Sequence, residues 1–536
     1  MESMPATARE APRVVTKSPQ PAADRVRSAA PEPQPPASKG WGLPLAVLVA
    51  GMFMSILDIS IVNVAMASMS KDFGTSTEDM QWISTAYSLS EGVVVPISAW
   101  VGARFGLKRV YIWSLVLFTV GSVLCGLAGD LGSLIGFRVL QAIPGGIIPV
   151  TCLTILYRIV PKEKIGAAMG VYGVGVAVAP AIGPALGGYL VEHFSWRTIF
   201  FINVPVGILG TIAGIFVLTS FAAERNKPFD LPGFLCIGGA LVALLLAIEE
   251  GDDWEWNSYP IVMLFLLGAI LLALFVVIEL SVEHPLLDLR MFRTRTFVVS
   301  LLLIVAMMVG MFVVMLYIPV FLQNVQGLNA LNAGLDLLPQ AVVMAFAMAV
   351  GGQLYDRLGA RGPAVVGLLL VGTGMMLLSR ITPDIPRSSL ILGMCVMSAG
   401  MGLALMPAMT GGVSALPGRY SDMGSAMNTL VQRLASSIGL ALFTVASTHD
   451  RDQLLQDRSG LMAGSGANAN SGVAAYGEQG QLELYQLYQQ VQANVQAHAY
   501  STVFVVAGSI AFAGAVLAFL LPAGRPAAGS GNIAVH

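Results

Sequence analysis

Charge is scarce in this chain: only 11% of its 536 residues are Asp, Glu, Lys or Arg, where soluble domains carry about 25%. A water-facing shell cannot be built from so little, so an ordinary soluble fold is excluded. The formal net charge of -2 leaves no basic excess for nucleic acid and no acidic excess for a cationic partner. Cysteine is equally sparse. Cys125, Cys152, Cys236 and Cys395 lie in apolar runs with no CxxC pair and no Cys/His cluster at ligand spacing, so they read as core thiols, and neither metal nor cofactor is expected. The five histidines, His193, His284, His449, His498 and His536, fall in loops or at the C-terminus. GxSxG, HExxH and Walker-type phosphate loops are absent, which leaves neither hydrolysis nor ATP-driven transport a visible site. An enzyme is not expected.

What is abundant is apolar. Hydrophobic residues make up 55% of the chain, with 58 Gly and 26 Met, a composition that suits a bundle of membrane helices. Residues 1–40 hold eight prolines and six basic residues, and read as a disordered tail rather than a signal peptide. From Trp41 onward, apolar stretches recur, each long enough to cross ~30 Å of hydrocarbon. They predict spans at 41–66, 80–101, 109–128, 133–157, 165–190, 198–220, 232–249, 259–280, 297–322, 331–352, 363–381, 388–411, 424–446 and 500–521. The fold class is therefore an all-α polytopic membrane protein of fourteen helices.

Basic residues retained on the cytoplasmic side fix the orientation. With both termini cytoplasmic, inward segments carry 21 of the 29 Lys and Arg and outward segments six, Arg138 and Arg433 being the two left within spans. Two polar insertions face outward in this topology. The acidic run Glu249 to Trp256 reads as a solvated loop. The longer segment 447–499 is Gln-rich, and Leu484, Tyr488, Val491 and Val495 keep a helical spacing, predicting an amphipathic helix that lies on the membrane, covers the outer mouth or packs on neighbouring loops.

An internal repeat orders the helices. Ala103-Arg104-Phe105-Gly106-Leu107-Lys108 follows the second span and Asp356-Arg357-Leu358-Gly359-Ala360-Arg361 follows the tenth. Eight helices separate the copies, so the reading is two parallel six-helix halves, 41–220 and 297–522, around two inserted helices in 221–296, with a tail at 523–536. Gly102, Gly106 and Gly359 permit a sharp reversal at these turns. Arg104, Lys108, Arg109, Arg357 and Arg361, with Asp356, form a candidate loop latch, if they do more than signal topology.

Four ionisable residues sit deep in apolar context: Asp58, Glu91, Arg138 and Arg433. Burying Arg or Asp there costs at least about 2.5 to 3.5 kcal/mol, so such residues face a cavity and serve transport, or satisfy one another inside the bundle. Asp58 and Arg138 occupy matching depths and are expected to pair. Glu91 has no basic neighbour in sequence, and an unpaired carboxyl in a desolvated cavity suits a proton carrier. In span five, Gly175, Pro180, Gly183, Pro184, Gly187 and Gly188 combine small packing surfaces with removed hydrogen bonds, the makings of a bending segment.

Taken with these residues, residues 41–522 resemble the major facilitator superfamily, specifically its fourteen-span drug:proton antiporter group. Gly183-Pro184-Ala185-Leu186-Gly187-Gly188 is similar to that group's antiporter motif, Leu57 to Ala65 to its first-helix signature, and Arg138-Val139-Leu140-Gln141 with Gly145 to its fourth-helix proton-coupling motif. Two departures stand out: Ala103 where Asp is common, and Gln141-Ala142 where Gln-Gly is usual. The resemblance implies a proton-coupled antiporter of the cytoplasmic (inner) membrane that exports amphipathic or lipophilic compounds. Asp58, Glu91 and Arg138 would carry the proton, with Asn63, Gln141 and Arg433 lining the substrate cavity beside Asp58 and Glu91. Protons, a small drug-like molecule and lipid are the expected partners, and a periplasmic adaptor is a candidate one. A dedicated metabolite or lipid exporter on the same fold is the alternative.

Overall fold

Inside hydrocarbon the backbone must satisfy its own hydrogen bonds, and a helix does so within a single segment. A computed structural model describes residues 40–224, 228–251, 253–328, 330–437, 439 and 477–524, with residues 77, 78, 324, 330, 331, 419 and 477–493 described as backbone only. The N-terminal tail expected over 1–40, nearly all of the C-terminal tail and the first part of segment 447–499 therefore lie outside the described residues.

The helices are α1 (Gly42–Phe73), α2 (Thr77–Phe105), α3 (Leu107–Gly126), α4 (Leu131–Ile159), α5 (Ile165–His193), the short α6 (Thr198–Phe201), α7 (Asn203–Val217), α8 (Leu231–Glu249), α9 (Tyr259–Ser281), α10 (Arg295–Asn324), α11 (Ala330–Leu358), α12 (Arg361–Leu378), α13 (Arg387–Ser414), α14 (421–437) and α15 (Gly477–Ala518). Among the described residues, twelve helical segments are long and apolar enough to cross a membrane, α6 and α7 together counting as one. Two helices stand at expected spans without joining the twelve. They are α2, which carries Ser84, Thr85, Ser88, Ser90 and Glu91 within two turns, and α14, of which seventeen residues are described.

Two groups of helices result. In the first, α1 packs on α5 and α7, and α4 on α2 and α3; in the second, α13 packs on α10, α11 and α12, and α15 on α10 and α12. The inserted pair, α8 and α9, packs together and reaches the first group through α2. Most of α9 is exposed, with Val262, Leu266, Ile270 and Val277 on its open surface, as a lipid-facing helix requires.

The groups meet most extensively where α5 lies on α11. Gly166 and Gly170 of α5 abut Gly352 and Ala349 of α11 so closely that an added Cβ at either glycine would strike the opposite backbone. That close approach is available only to glycine, and it seals the end of the bundle at which the repeated basic loops lie. Gly106 (φ +90°) and Gly359 (φ +79°) occupy the left-handed region at the two repeated turns, as the reversal demands.

Three expectations need correction. The last membrane helix does not begin near residue 500: α15 runs unbroken from Gly477, so the helix expected in segment 447–499 is the extension of that span. The acidic run 249–256 is not simply solvated either. Glu250 is 8% exposed at the end of α8, and Trp256 folds over Gly251. Desolvation there, and next the Asp253 charge, push the Glu250 carboxyl above its ordinary range. Cys395 is only half-buried, whereas the other three thiols are buried.

Candidate functional site

Asp58 and Arg138 are, as their depths imply, an ion pair, and the structure surrounds it with partners. Arg138 Nη1 donates to Asp58 Oδ2 at 2.5 Å and to Gln141 Oε1 at 2.9 Å. Gln141 Nε2 and Asn203 Nδ2 donate to Asp58 Oδ1 at 3.1 and 2.7 Å. Asn203 also donates to Ser122 Oγ at 3.0 Å. The guanidinium carbon of Arg138 stands 4.1 Å from the centre of the Tyr87 ring, a cation–π contact on its remaining face.

The local sequence explains the assembly. Arg138 and Gln141 are three residues apart on α4, hence on one face; Tyr87 and Glu91 are four apart on α2, likewise. Asn203 opens α7, just after the break that separates it from α6. Asp58, Arg138, Gln141 and Asn203 are each no more than 1% exposed. A charge so placed is tolerated only when paired and hydrogen-bonded, and these four residues meet from three helices, α1, α4 and α7.

A second ion pair links the groups of helices, since α14 belongs with α13, Asn428 Nδ2 donating to the Met409 carbonyl at 3.4 Å. Arg433 Nη2 of α14 donates to Glu91 Oε1 of α2. The expectation of an unpaired Glu91 is therefore corrected: its partner is distant in sequence, and nothing in neighbouring spans could reveal it. The two side chains differ in access, since Glu91 is 1% and Arg433 33% exposed. Glu91 Oε2 is buried without a hydrogen-bond partner among the described residues.

Asn63 is not drawn into either cluster. It is exposed and accepts a hydrogen bond from Ser84 Oγ at 3.0 Å.

Serines of α1 serve the proline-bearing helices beside it. Pro184 has no N–H to offer the carbonyl of Pro180, four residues earlier. Ser60 Oγ donates to that carbonyl at 3.1 Å. Pro149 likewise frees the carbonyl of Gly145 on α4, and Ser55 Oγ donates to it at 3.2 Å. Gly183 and Gly187 face Ser60 and Ile61, Gly175 faces Val49 and Met52, and Gly188 faces open space. The glycines of α5 thus let α1 come close, and its serines mend what the prolines break.

At the sealed end, Asp356 pairs with no basic side chain among the described residues. Its carboxylate accepts from the backbone N–H groups of Gly166 and Ala167, at 2.8 and 3.0 Å, and so caps the N-terminus of α5. Anionic charge is favoured at that pole of a helix. Arg158 and Asp422 make a second bridge between the groups, at 2.7 Å. Of the loop cations, Lys108 donates to the Ile215 carbonyl near the end of α7 at 2.8 Å, and Arg361 lies over the Phe519 ring at 5.3 Å.

Asn203, Tyr87, Arg158 and Asp422 were not predicted. A polar Asn inside Phe200-Phe201-Ile202-Asn203-Val204 was a usable signal; Arg158 and Asp422 look from sequence like ordinary loop charges.

Comparison with known proteins accords with this architecture. The sequence profile described as Major Facilitator Superfamily matches residues 48–440. An uncharacterized MFS-type transporter, YhcA of Bacillus subtilis (strain 168), is 34% identical over 409 residues, 76% of each chain. Multidrug resistance protein 3 of the same organism is 30% identical over 432 residues, 79% of this chain and 84% of that one. Among solved structures, a double-Trp variant of XylE superposes with a TM-score of 0.61 at 13% identity, covering 90% of this chain and 96% of that one, a likeness of fold.

Proposed function

Because this chain belongs to the major facilitator superfamily, a family of membrane transporters rather than enzymes, we propose that it is a proton-coupled antiporter exporting amphipathic or lipophilic compounds. In this reading it has fourteen spans, α2 and α14 included, lies in the cytoplasmic membrane with both termini inside, and works by alternating access. Relatives named as multidrug resistance proteins at about 30% identity support the substrate class.

The observation that carries the coupling is the Glu91–Arg433 pair. One partner belongs to each group of helices, and the buried carboxylate holds the guanidinium only while it is ionised. A proton on Glu91 removes the attraction and loosens the central contact between the halves. While Glu91 is ionised, a cationic substrate and Arg433 compete for the same carboxylate. Asp58, locked by Arg138, Gln141 and Asn203, answers that change of charge within the first half. One proton falling through about 150 mV supplies roughly 3.5 kcal/mol, enough for about a 300-fold gradient of a neutral solute.

In this reading the sealed end, which carries the basic loops, is the cytoplasmic end. Single cysteines at Glu163 and Asp253 test this orientation, since the first should label only from inside and the second only from outside. Substrate-induced proton release, measured in detergent and in proteoliposomes on wild type, Asp58→Asn and Glu91→Gln, tests the coupling. Loss of release in both variants is expected; release equal to wild type in both refutes the assignment.

The greater exposure of Arg433 favours a second reading, a dedicated exporter of one acidic metabolite. Saturation by a single anionic compound, with no competition from lipophilic cations, would select it.

A further inference from the structure

One groove on the described surface lies away from both ion pairs. It measures about 580 Å³ and runs between α2, α3 and α4, where Trp113, Leu117, Ile143 and Ile147 form apolar walls and Arg104 and Arg109 stand at one end. Trp113 and Leu117 are more than half exposed. Pro144 lies in the groove and breaks the hydrogen-bonding row of α4 beside it. The segment after α7 closes the far side: Ala223 lines the groove, and Glu224, whose side chain is not part of the lining, donates its backbone N–H to the Ala103 carbonyl at 2.8 Å.

A smaller recess of about 180 Å³ adjoins it, sharing Phe105, Arg109 and Ala223 and adding Lys108 and Ser220. An apolar trough thus opens into a basic pocket. Neither cavity is lined by a carboxylate. Among the described residues, the guanidinium groups of Arg104 and Arg109 have no hydrogen bond or ion pair, in contrast to Arg138, Arg158 and Arg433. Arg109 sits in the first turn of α3, where the helix dipole already repels a cation; an anion would relieve both. The loop itself carries no carboxylate, position 103 being Ala where the second copy has Asp356.

We propose that this trough and pocket form a binding site for one anionic phospholipid of the inner leaflet, its acyl chain along Trp113 and Leu117 and its phosphate between Arg104 and Arg109. The shape matches an amphiphile, the charge matches a phosphate, and the depth matches a headgroup at the end of the bundle read as cytoplasmic. The site rests on that orientation only for the choice of leaflet, and not on the coupling mechanism.

Native mass spectrometry of the purified full chain tests it, titrating phosphatidylglycerol, phosphatidylcholine and, separately, excess inorganic phosphate. Phosphatidylglycerol should bind at one site, phosphatidylcholine far more weakly, and inorganic phosphate should not displace the lipid. Each basic side chain near a charged membrane surface is worth about fivefold in affinity, so Arg104→Gln with Arg109→Gln should weaken phosphatidylglycerol about 30-fold. Ala223→Trp, which fills the groove and touches no charge, should abolish the same single binding event. Arg290→Gln with Arg293→Gln, a basic pair on another loop, should leave it unchanged. Retention of phosphatidylglycerol at wild-type affinity in both the double arginine variant and Ala223→Trp, or equal binding of phosphatidylcholine, would overturn the proposal. Proton-release measurements do not enter the readout, so failure here leaves the antiport reading standing, and the reverse holds too.

Discussion

Glu91 and Arg433 are 342 residues apart in sequence and joined in space, the carboxylate in the first group of helices and the guanidinium in the second. In the proposed mechanism, the pair makes the two groups answer to a single proton. Reversing it, with Glu91→Arg and Arg433→Glu, keeps the attraction but moves the titrating group to the more exposed side. Arg433→Ala should lower exchange at least tenfold, and the reversed pair should recover part of that loss. Fluorescent-substrate efflux from inverted vesicles under an imposed pH gradient reads both; a reversed pair no better than Arg433→Ala would mean that position, not charge, governs coupling.

The Asp58 cluster predicts an order of damage. Arg138→Ala leaves Asp58 buried and unpaired and should cost about 3 to 5 kcal/mol. Arg138→Lys keeps a charge but loses the planar guanidinium that lies over the Tyr87 ring, so it should cost less. Asn203→Ala removes one neutral donor from a carboxylate that retains two others and should cost about 1 to 3 kcal/mol. Thermal unfolding of the purified variants checks the ranking, and an Asn203→Ala variant as damaged as Arg138→Ala would contradict it.

These two clusters also mark where the sequence is legible. Asp58 and Arg138 stand out because ionisable residues are rare in apolar runs, and two neighbouring spans are enough to suggest that they meet. Helices and their order follow from the apolar runs and the repeated loop for the same reason: both are local patterns. Arg433 is just as conspicuous as a buried charge, yet its partner depends on how α14 leans on α2, which no local pattern encodes. Tyr87 is invisible for another reason, being an ordinary residue type whose role arises only from the neighbour it faces, whereas Asn203 leaves a trace as a polar residue in an apolar run. A helix around Leu484 to Val495 is legible from its spacing, but its continuity with the last span in α15 is missed because its polar composition sets it apart from the apolar run.

The sealed end should open on demand. Gly166 and Gly352 leave no room for a side chain between α5 and α11, so Gly352→Leu should hold the two apart. Asp356→Ala, removing a cap shared by two N–H groups, should loosen the same contact by about 1 to 2 kcal/mol. Spin labels placed at Glu163 and Arg357 report the separation. A longer distance in Gly352→Leu, and a broader distribution in Asp356→Ala, are expected; unchanged distances in both would show that this end is held elsewhere.

The hydrogen bond from Ser60 to the Pro180 carbonyl allows the proline's role in α5 to be separated from simple packing. That carbonyl lacks a helical partner only because residue 184 is proline. In the natural chain, Ser60→Ala should therefore orphan a buried acceptor and cost about 1 to 3 kcal/mol. With Pro184→Ala in place, the restored N–H bonds to Pro180 and Ser60 becomes dispensable, so the same Ser60→Ala change should cost under about 0.5 kcal/mol. A double-mutant cycle on thermal unfolding isolates the difference as a coupling of about 1 kcal/mol or more. Efflux then divides the two explanations of the motif. If bending of α5 matters to transport, Pro184→Ala should export more slowly at normal membrane abundance even though its helix is the better hydrogen-bonded of the two. Normal efflux from that variant, with the cycle behaving as described, would assign the prolines to packing against α1 alone.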